Sequence, residues 1–390
     1  MHINRFLLFV AFLAVLVVGL GAPVPGLAED APNFTIPTVA PVLRNGDFEC
    51  ASGYYETTNG AGETIRVPND WLYVAPVGSP RTNSARIQYT GSCDGSGHVE
   101  RISGEDSFVV RAQDMETPPE PGKPFDAVLL QQVDVVPGGA YSLSGWALTL
   151  CGGSAVPNDC PAGYYMSKQL GLDPTGGTDP LSADVQWAEN RNNFISPNGA
   201  RIGWSNLQTS AVAQASTMTV FARLESPFRW HGNHGFIDAL SFVRAPAAWF
   251  DKLPAAVDGS SLALAWNAEQ SPDIAAIPAG TYALQVDIQT RPQGDESWRD
   301  LAVGITGADA HGTLDFVAPC TNIAYEFRLR ARSEQPPAPP EGASPNQRYP
   351  GVWSEPVAVF FRPATNPAQP PGATGTHALF LPLITHQIPC

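Results

Sequence analysis

The sequence predicts an all-β chain built from two sandwiches in succession, and three observations carry that prediction. Charged residues make up only 15% of the chain, against 36 Gly and 38 Pro, a composition suited to many short strands joined by turns. Apolar and polar residues alternate with period two in many segments, among them Leu262-Ala-Leu264-Ala-Trp266 and Tyr325-Glu-Phe327-Arg-Leu329-Arg-Ala331. Amphipathic helical patterns are nearly absent, and turn signals such as Pro137-Gly138-Gly139 and Pro174-Thr175-Gly176-Gly177 punctuate the chain.

Residues 1–28 read as an export signal. His2 and Arg5 precede an apolar run over 6–20, and Gly26-Leu27-Ala28 offers small residues for cleavage. The run is short for a ~20-residue membrane span, and no Cys follows it to accept a lipid. With no later segment apolar enough to cross a bilayer, the expected location is secreted, extracellular or at the cell surface. The 37 Asp and Glu against 22 Lys and Arg make nucleic acid and anionic lipid poor partners. Six cysteines in an exported chain read as disulfides, and 15 pairings are open to them. Proximity suggests Cys151 with Cys160 and Cys50 with Cys93, which leaves Cys320 with Cys390. No cysteine or histidine spacing suggests zinc.

After a lead-in linker over 29–40, a first domain is expected over 41–245, with strands at 127–136, 141–150, 217–224 and 236–243. Asn45-Gly-Asp47-Phe-Glu49 near its start and Gly235-Phe-Ile-Asp238-Ala-Leu-Ser-Phe242 at its end resemble the first and last strands of bacterial carbohydrate-binding-module jelly rolls, which belong to the galactose-binding-like sandwiches. Gly171-Leu-Asp-Pro-Thr-Gly-Gly177 and Met218-Thr-Val-Phe-Ala-Arg223 resemble segments of similar secreted bacterial domains. A second domain, 246–363, resembles a fibronectin type III domain through the Leu262–Trp266 and Tyr325–Ala331 patterns and Gly351-Val-Trp353-Ser-Glu-Pro356. The resemblance implies an immunoglobulin-like β-sandwich, with Trp266 buried and the Tyr325 hydroxyl tying a loop to the sheet. Tyr282 and Trp298 are further candidate core aromatics. A Pro-rich insert over 334–350 departs from the family pattern. The Pro/Gly-rich linker and apolar tail over 364–390 read as an added strand or as a sorting signal.

Chemistry-bearing motifs are few. The chain lacks Gly-x-Ser-x-Gly, His-Glu-x-x-His, a phosphate-cradling Gly-rich loop and any Glu-x-Asp that would set paired carboxylates on one strand face. His231 and His234 are spaced to share a metal or simply to face solvent. Asp238 shares its parity with Phe236, Leu240 and Phe242 and so reads as inward-facing, which demands a partner. In the resembled jelly rolls such an Asp helps hold a structural calcium beside the first strand, which here offers Asp47 and Glu49. The alternative is a carboxylate capping backbone N–H groups. For sugar stacking the candidate rings are Trp71, Tyr73, Trp187, Trp204, Phe228 and Trp230, of which Trp204, with Trp146, fits the core best. Trp187 has Gln186, Asn190, Arg191 and Asn192 beside it, and Trp230 has His231 and Asn233.

The expected function is therefore a non-catalytic binding protein that recognises polysaccharide or another surface ligand through its jelly roll. The two rivals are a purely structural surface protein and a hydrolase with an unrecognised carboxylate site. The oligomeric state stays open.

Overall fold

The computed structural model describes residues 37–86, 102–112, 124–150, 166–191, 204–226, 233–277, 281–306, 311–335 and 347–364. The export signal, Cys93, Cys151, Cys160, Phe228, Trp230, His231, Asn192 and the tail with Cys390 lie outside them. Of the described cysteines, Cys50 and Cys320, neither is free.

Twelve strands precede residue 245. They are β1 (Tyr54–Thr58), β2 (Thr64–Pro68), β3 (Leu72–Val77), β4 (Arg81–Arg86), β5 (Asp106–Arg111), β6 (Phe125–Asp134), β7 (Ala140–Leu150), β8 (Ser167–Asp173), β9 (Gln186–Asn190), β10 (Ser205–Val212), β11 (Thr217–Ser226) and β12 (His234–Arg244). β1 and β2 form a hairpin, and the rest form two five-stranded antiparallel sheets in the orders β10-β7-β12-β5-β4 and β3-β6-β11-β8-β9. The fold is the all-β sandwich that the alternation predicts, of the jelly-roll class that the resemblance implies. Leu129 and Val133 of β6, Val220 and Leu224 of β11, and Leu143 and Ala147 of β7 interdigitate between the sheets, with Phe48 and Trp71 closing one end. Each of the buried Leu, Val and Phe side chains contributes ~1.5–3 kcal/mol by leaving water.

One expectation about β12 is corrected. Its pairing with β7 slips between Asp238 and Ser241, where Ala239 adopts a left-handed φ of 53°. The extra residue reverses the side-chain phase. Ile237, Leu240 and Phe242 all enter the core, whereas Phe236 belongs to a separate cluster with Trp204, Leu148 and Val109 on the outer face of the sheet. Asp238, two residues from Phe236 and before the slip, therefore faces out of the sandwich, not in.

The second sandwich consists of β13 (Ala247–Phe250), β14 (Ala256–Asp258), β15 (Ser261–Glu269), the one-turn helix α1 (Pro272–Ala275), β16 (Ala283–Pro292), β17 (Arg299–Thr306), β18 (His311–Val317), β19 (Ile323–Glu334), β20 (Arg348–Pro350) and β21 (Val357–Arg362). The sheets run β13-β15-β18 and β14-β21-β19-β16-β17, with β20 paired to β19. All these pairs are antiparallel except β14 with β21. Leu262, Leu264 and Trp266 pack against Phe327, Leu329 and Val359. Trp266 is 3% exposed, and a Cβ on Gly312 would stand 2.4 Å from its indole, so the bare backbone there makes room for the ring. The Tyr325 hydroxyl accepts the Cys320 N–H at 3.2 Å, tying down the turn before β19.

Two further expectations are corrected. Trp298 is half-buried on the outer face of its sheet, held between Arg291 and Arg328, and is not a core residue. Tyr282 packs on Tyr349 at 5.8 Å, in a cluster with Val243 and Ile274 where the two sandwiches meet. That junction is also polar. The Tyr349 hydroxyl donates to Ser241 Oγ at 3.0 Å, Gln347 Nε2 donates to the Ala239 carbonyl at 3.1 Å, and Arg244 N–H and Nε donate to the Asp273 carboxylate at 2.8 and 3.0 Å.

Trp266→Ala is expected to lower the unfolding free energy by ~3–5 kcal/mol in urea denaturation, as for a large core truncation. A change within ~0.5 kcal/mol, typical of surface sites, would contradict the packing described.

Candidate functional site

Strand alternation decides which sequence candidates share a face. In the sheet β3-β6-β11-β8-β9, Phe221, Gly171 and Trp187 stand in one cross-strand row. Trp187 is half-buried and leans across Gly171, where a Cβ would lie 2.7 Å from the six-membered ring. Its ring meets Phe221 at 5.7 Å between centroids. Arg223 lies beside it, its Cζ 5.7 Å from the Trp187 centroid. The result is an indole leaning over the outer face of a sheet, the arrangement on which an apolar sugar face stacks.

A polar network surrounds the ring. Arg223 donates from Nε and Nη2 to the two Asp126 oxygens at 2.8 and 2.7 Å, a bidentate pair with little exposure. Its Nη1 reaches Gln169 Oε1 at 3.4 Å, Gln169 Nε2 donates to Ser167 Oγ at 2.8 Å, and Ser167 Oγ donates to Glu189 at 2.6 Å. Breaking the buried Arg223–Asp126 pair would strand a charge at a cost of about 3–5 kcal/mol.

Of the companions expected from the sequence, Arg191 pairs with Glu189 of this face at 2.7 Å, but the two amides of β9 are not on it. Gln186 and Asn190 lie one and three residues from Trp187 on β9, so alternation turns them to the other side. Asn233 is fully buried, its Nδ2 donating to Ser226 Oγ at 2.8 Å, which removes it as a ligand-binding group. Trp230 lies outside the described residues. Trp71 is a core residue whose Nε1 donates to the Asn45 carbonyl at 3.0 Å, and Trp204 is buried beside Phe236. His234 is buried and stacked on Phe236. Adjacency in sequence hid Gly171, Gln169, Glu189 and Arg223, because their shared face exists only once β8, β9 and β11 pair.

The acidic set lies at the other sheet. The Leu240 N–H donates to the Gly46 carbonyl at 2.9 Å, which brings the bulge of β12 against the 45–49 segment. Asp238 Oδ2 accepts the N–H groups of Ile102 and Ser103 at 2.8 and 2.9 Å, and Oδ1 accepts that of Ala239 at 2.6 Å. Glu49 Oε1 accepts from Glu105 N–H at 2.8 Å, and Gly104, at φ 50°, leaves room for that oxygen, which a Cβ would displace. Burial pushes the Asp238 carboxyl up to about 8 against the pull of those three donors, and Asp47 adds to the rise. Burial likewise raises Glu49, helped by Asp106 and Asp47, and raises Asp47 itself. Backbone strain collects at the same place, with Asn45, Phe48 and Ala239 at φ 49°, 52° and 53°. Among the described residues no three His, Cys, Asp or Glu side chains already converge as a metal-ligand set. The expected trio Asp47, Glu49 and Asp238 thus lies along one strained part of the fold without converging as a ligand set, and the Asp238 and Glu49 carboxylates serve backbone N–H groups.

No family model matches the chain, and no curated protein matches it. Similar solved structures include the carbohydrate-binding module TmCBM61 in complex with β-1,4-galactotriose, at 14% identity, covering 52% of this chain and 97% of that one with a TM-score of 0.31. A family 16 carbohydrate-binding module is 14% identical over 37% of this chain and 81% of its own, with a TM-score of 0.22. The β-1,2-glucanase of Parabacteroides distasonis is 10% identical over 76% of this chain but only 37% of the enzyme, with a TM-score of 0.23. Among the described residues no helix is long and apolar enough to cross a membrane.

The Asp238 carboxyl keeps its proton to about pH 8 in the fold, against an ordinary 3.8. The folded state thus binds that proton more tightly, and its contribution is complete below the unfolded pKa and is lost as pH rises through the folded one. In a chelating buffer, unfolding free energy measured by urea denaturation is expected to fall between about pH 4 and pH 8. A level or rising profile would show that Asp238 is ionised throughout.

Proposed function

We propose that this is an exported, non-catalytic polysaccharide-binding protein whose ligand face is the outer side of the β3-β6-β11-β8-β9 sheet. The observation that carries the reading is Trp187, leaning over Gly171 and bordered by Arg223, Gln169 and Glu189. An indole supplies apolar contact to a sugar ring while amide, carboxylate and guanidinium groups bond its hydroxyls. The second sandwich supports the fibronectin type III reading through its three-stranded and larger sheets, buried Trp266 and Tyr325 bond. In this proposal it carries the jelly roll away from its attachment point, and the export signal places both outside the cytoplasm.

A structural calcium beside Asp47, Glu49 and Asp238 belongs to the same proposal. Its donor set would be oxygen only; burial raises all three carboxyls, and the Asp47 charge adds to the rise at Asp238 and, with Asp106, at Glu49, repulsions that a divalent cation would offset. Asp238, Glu49 and Asp47 would hold it, and its part would be to steady the first and last strands.

Trp187→Ala is expected to abolish retention on a glycan identified by array screening, with an unchanged melting curve. Gly171→Val should do the same by lifting the indole off the sheet. Normal binding by both variants would move the ligand site elsewhere. Separately, millimolar calcium is expected to raise the melting midpoint, with a gain that grows as the logarithm of its excess over Kd, and Glu49→Gln should remove the rise. An identical midpoint with calcium and with chelator would show that the backbone N–H groups alone satisfy these carboxylates.

A further inference from the structure

The outer face of the second sandwich holds an alternating stack of planar groups. Arg291 and Arg328 both lie over the Trp298 ring, their Cζ atoms 4.3 and 4.2 Å from its centroid. Arg328 and Arg330 in turn lie 4.6 and 4.5 Å from the centroid of Trp353. Arg328 is therefore shared by two indoles, and its hydrogen-bonding edge is what remains for other partners.

The arginines differ in how they are neutralised. Arg291 pairs with Glu326 at 2.6 Å, Arg330 with Asp287 at 3.1 Å, and Arg332 with Asp287 and Glu334 at 3.2 and 2.8 Å. Arg328 has no carboxylate partner among the described residues. Its Nε and Nη2 both donate to the neutral Gln289 Oε1, at 2.9 and 2.7 Å, and its Nη1 donates to no described residue. Burial and the neighbouring Arg291 and Arg330 charges all act against its protonated form. An uncompensated guanidinium held between two rings is unexpected on a chain of net charge −15.

We propose that Arg328, framed by Trp298 and Trp353, is a subsite for an anionic polysaccharide, its carboxylate or sulfate groups meeting the open edge of the guanidinium. The fork of Arg bonds such oxyanions in plane, while the flanking indoles give apolar contact to the adjoining sugar. A polymer suits the site better than a small anion. Arg328, Arg330 and Arg332 recur on the same side of β19 at ~6.5 Å intervals, so the basic row extends along a strand. The subsite is on the second sandwich and stands or falls independently of the Trp187 face.

The test is affinity electrophoresis of the full chain in gels containing polygalacturonate, dextran sulfate, neutral dextran or polyglutamate. Retardation by polygalacturonate or dextran sulfate is expected, the stronger of the two identifying carboxylate or sulfate, and it should vanish in about 0.5 M salt. Neutral dextran should have no effect. Arg328→Gln should weaken binding about tenfold, the usual scale for losing one charge-assisted bond. Gln289→Glu, made together with Asp300→Asn because Gln289 Nε2 donates to Asp300 Oδ1 at 2.8 Å, is the sharper variant: it supplies Arg328 with a carboxylate while leaving both rings and the strand pairing in place. It should cost the same binding with an unchanged or higher melting midpoint. Undiminished retardation of this double variant, retardation by polyglutamate alone, or no retardation by either polyanion would overturn the proposal.

Discussion

One additional residue in β12 determines how the rest of this molecule is arranged. Had β12 alternated without interruption, either Asp238 would lie in the apolar core or Leu240 and Phe242 would lie outside it. The slip at Ala239 lets both be placed correctly: the carboxylate on the outer face beneath the Ile102–Ser103 backbone, and the apolar residues inside. It also turns the Ala239 carbonyl toward Gln347 and offers Ser241 to Tyr349, so the second sandwich is seated by the same irregularity. The left-handed conformation there costs of order 1 kcal/mol or more, and the contacts it permits on both faces of the sheet offset that cost.

Much of the architecture was legible because alternation with period two is a direct consequence of strand geometry. Leu262, Leu264 and Trp266 could be assigned to one face without any knowledge of their partners. The same rule misassigned Asp238, since a bulge shifts phase by one residue and leaves no mark in composition. Trp187 illustrates a second limit. Its neighbours in sequence, Gln186 and Asn190, point away from it, and its neighbours in space come from β8 and β11. Gly171 was visible only as part of a turn-rich motif, whereas its role is to be absent beneath an indole.

Aromatic residues were the least predictable class, for a physical reason. A tryptophan hides its apolar faces equally well under leucines or between guanidinium planes. Trp266 took the first course, and Trp298 and Trp353 took the second. The outcome depends on which side of the strand the arginines of β19 occupy, and that side is set by Phe327 and Leu329 entering the core. The ladder is thus a by-product of the same alternation that builds the interior.

The parallel pairing of β14 with β21 has a mechanical consequence. Ala256, Val257 and Asp258 lie alongside Phe360, Phe361 and Arg362 with the chain running in the same direction in both strands. Tension applied across the second sandwich, with the jelly roll held at one end and the chain beyond residue 364 pulled at the other, draws these strands past each other along their length. Their hydrogen bonds then resist together as a shear lock, whereas a hairpin pulled from its open end would yield one bond at a time. Force passing between the first sandwich and the chain beyond residue 364 would therefore run through the element best placed to withstand it.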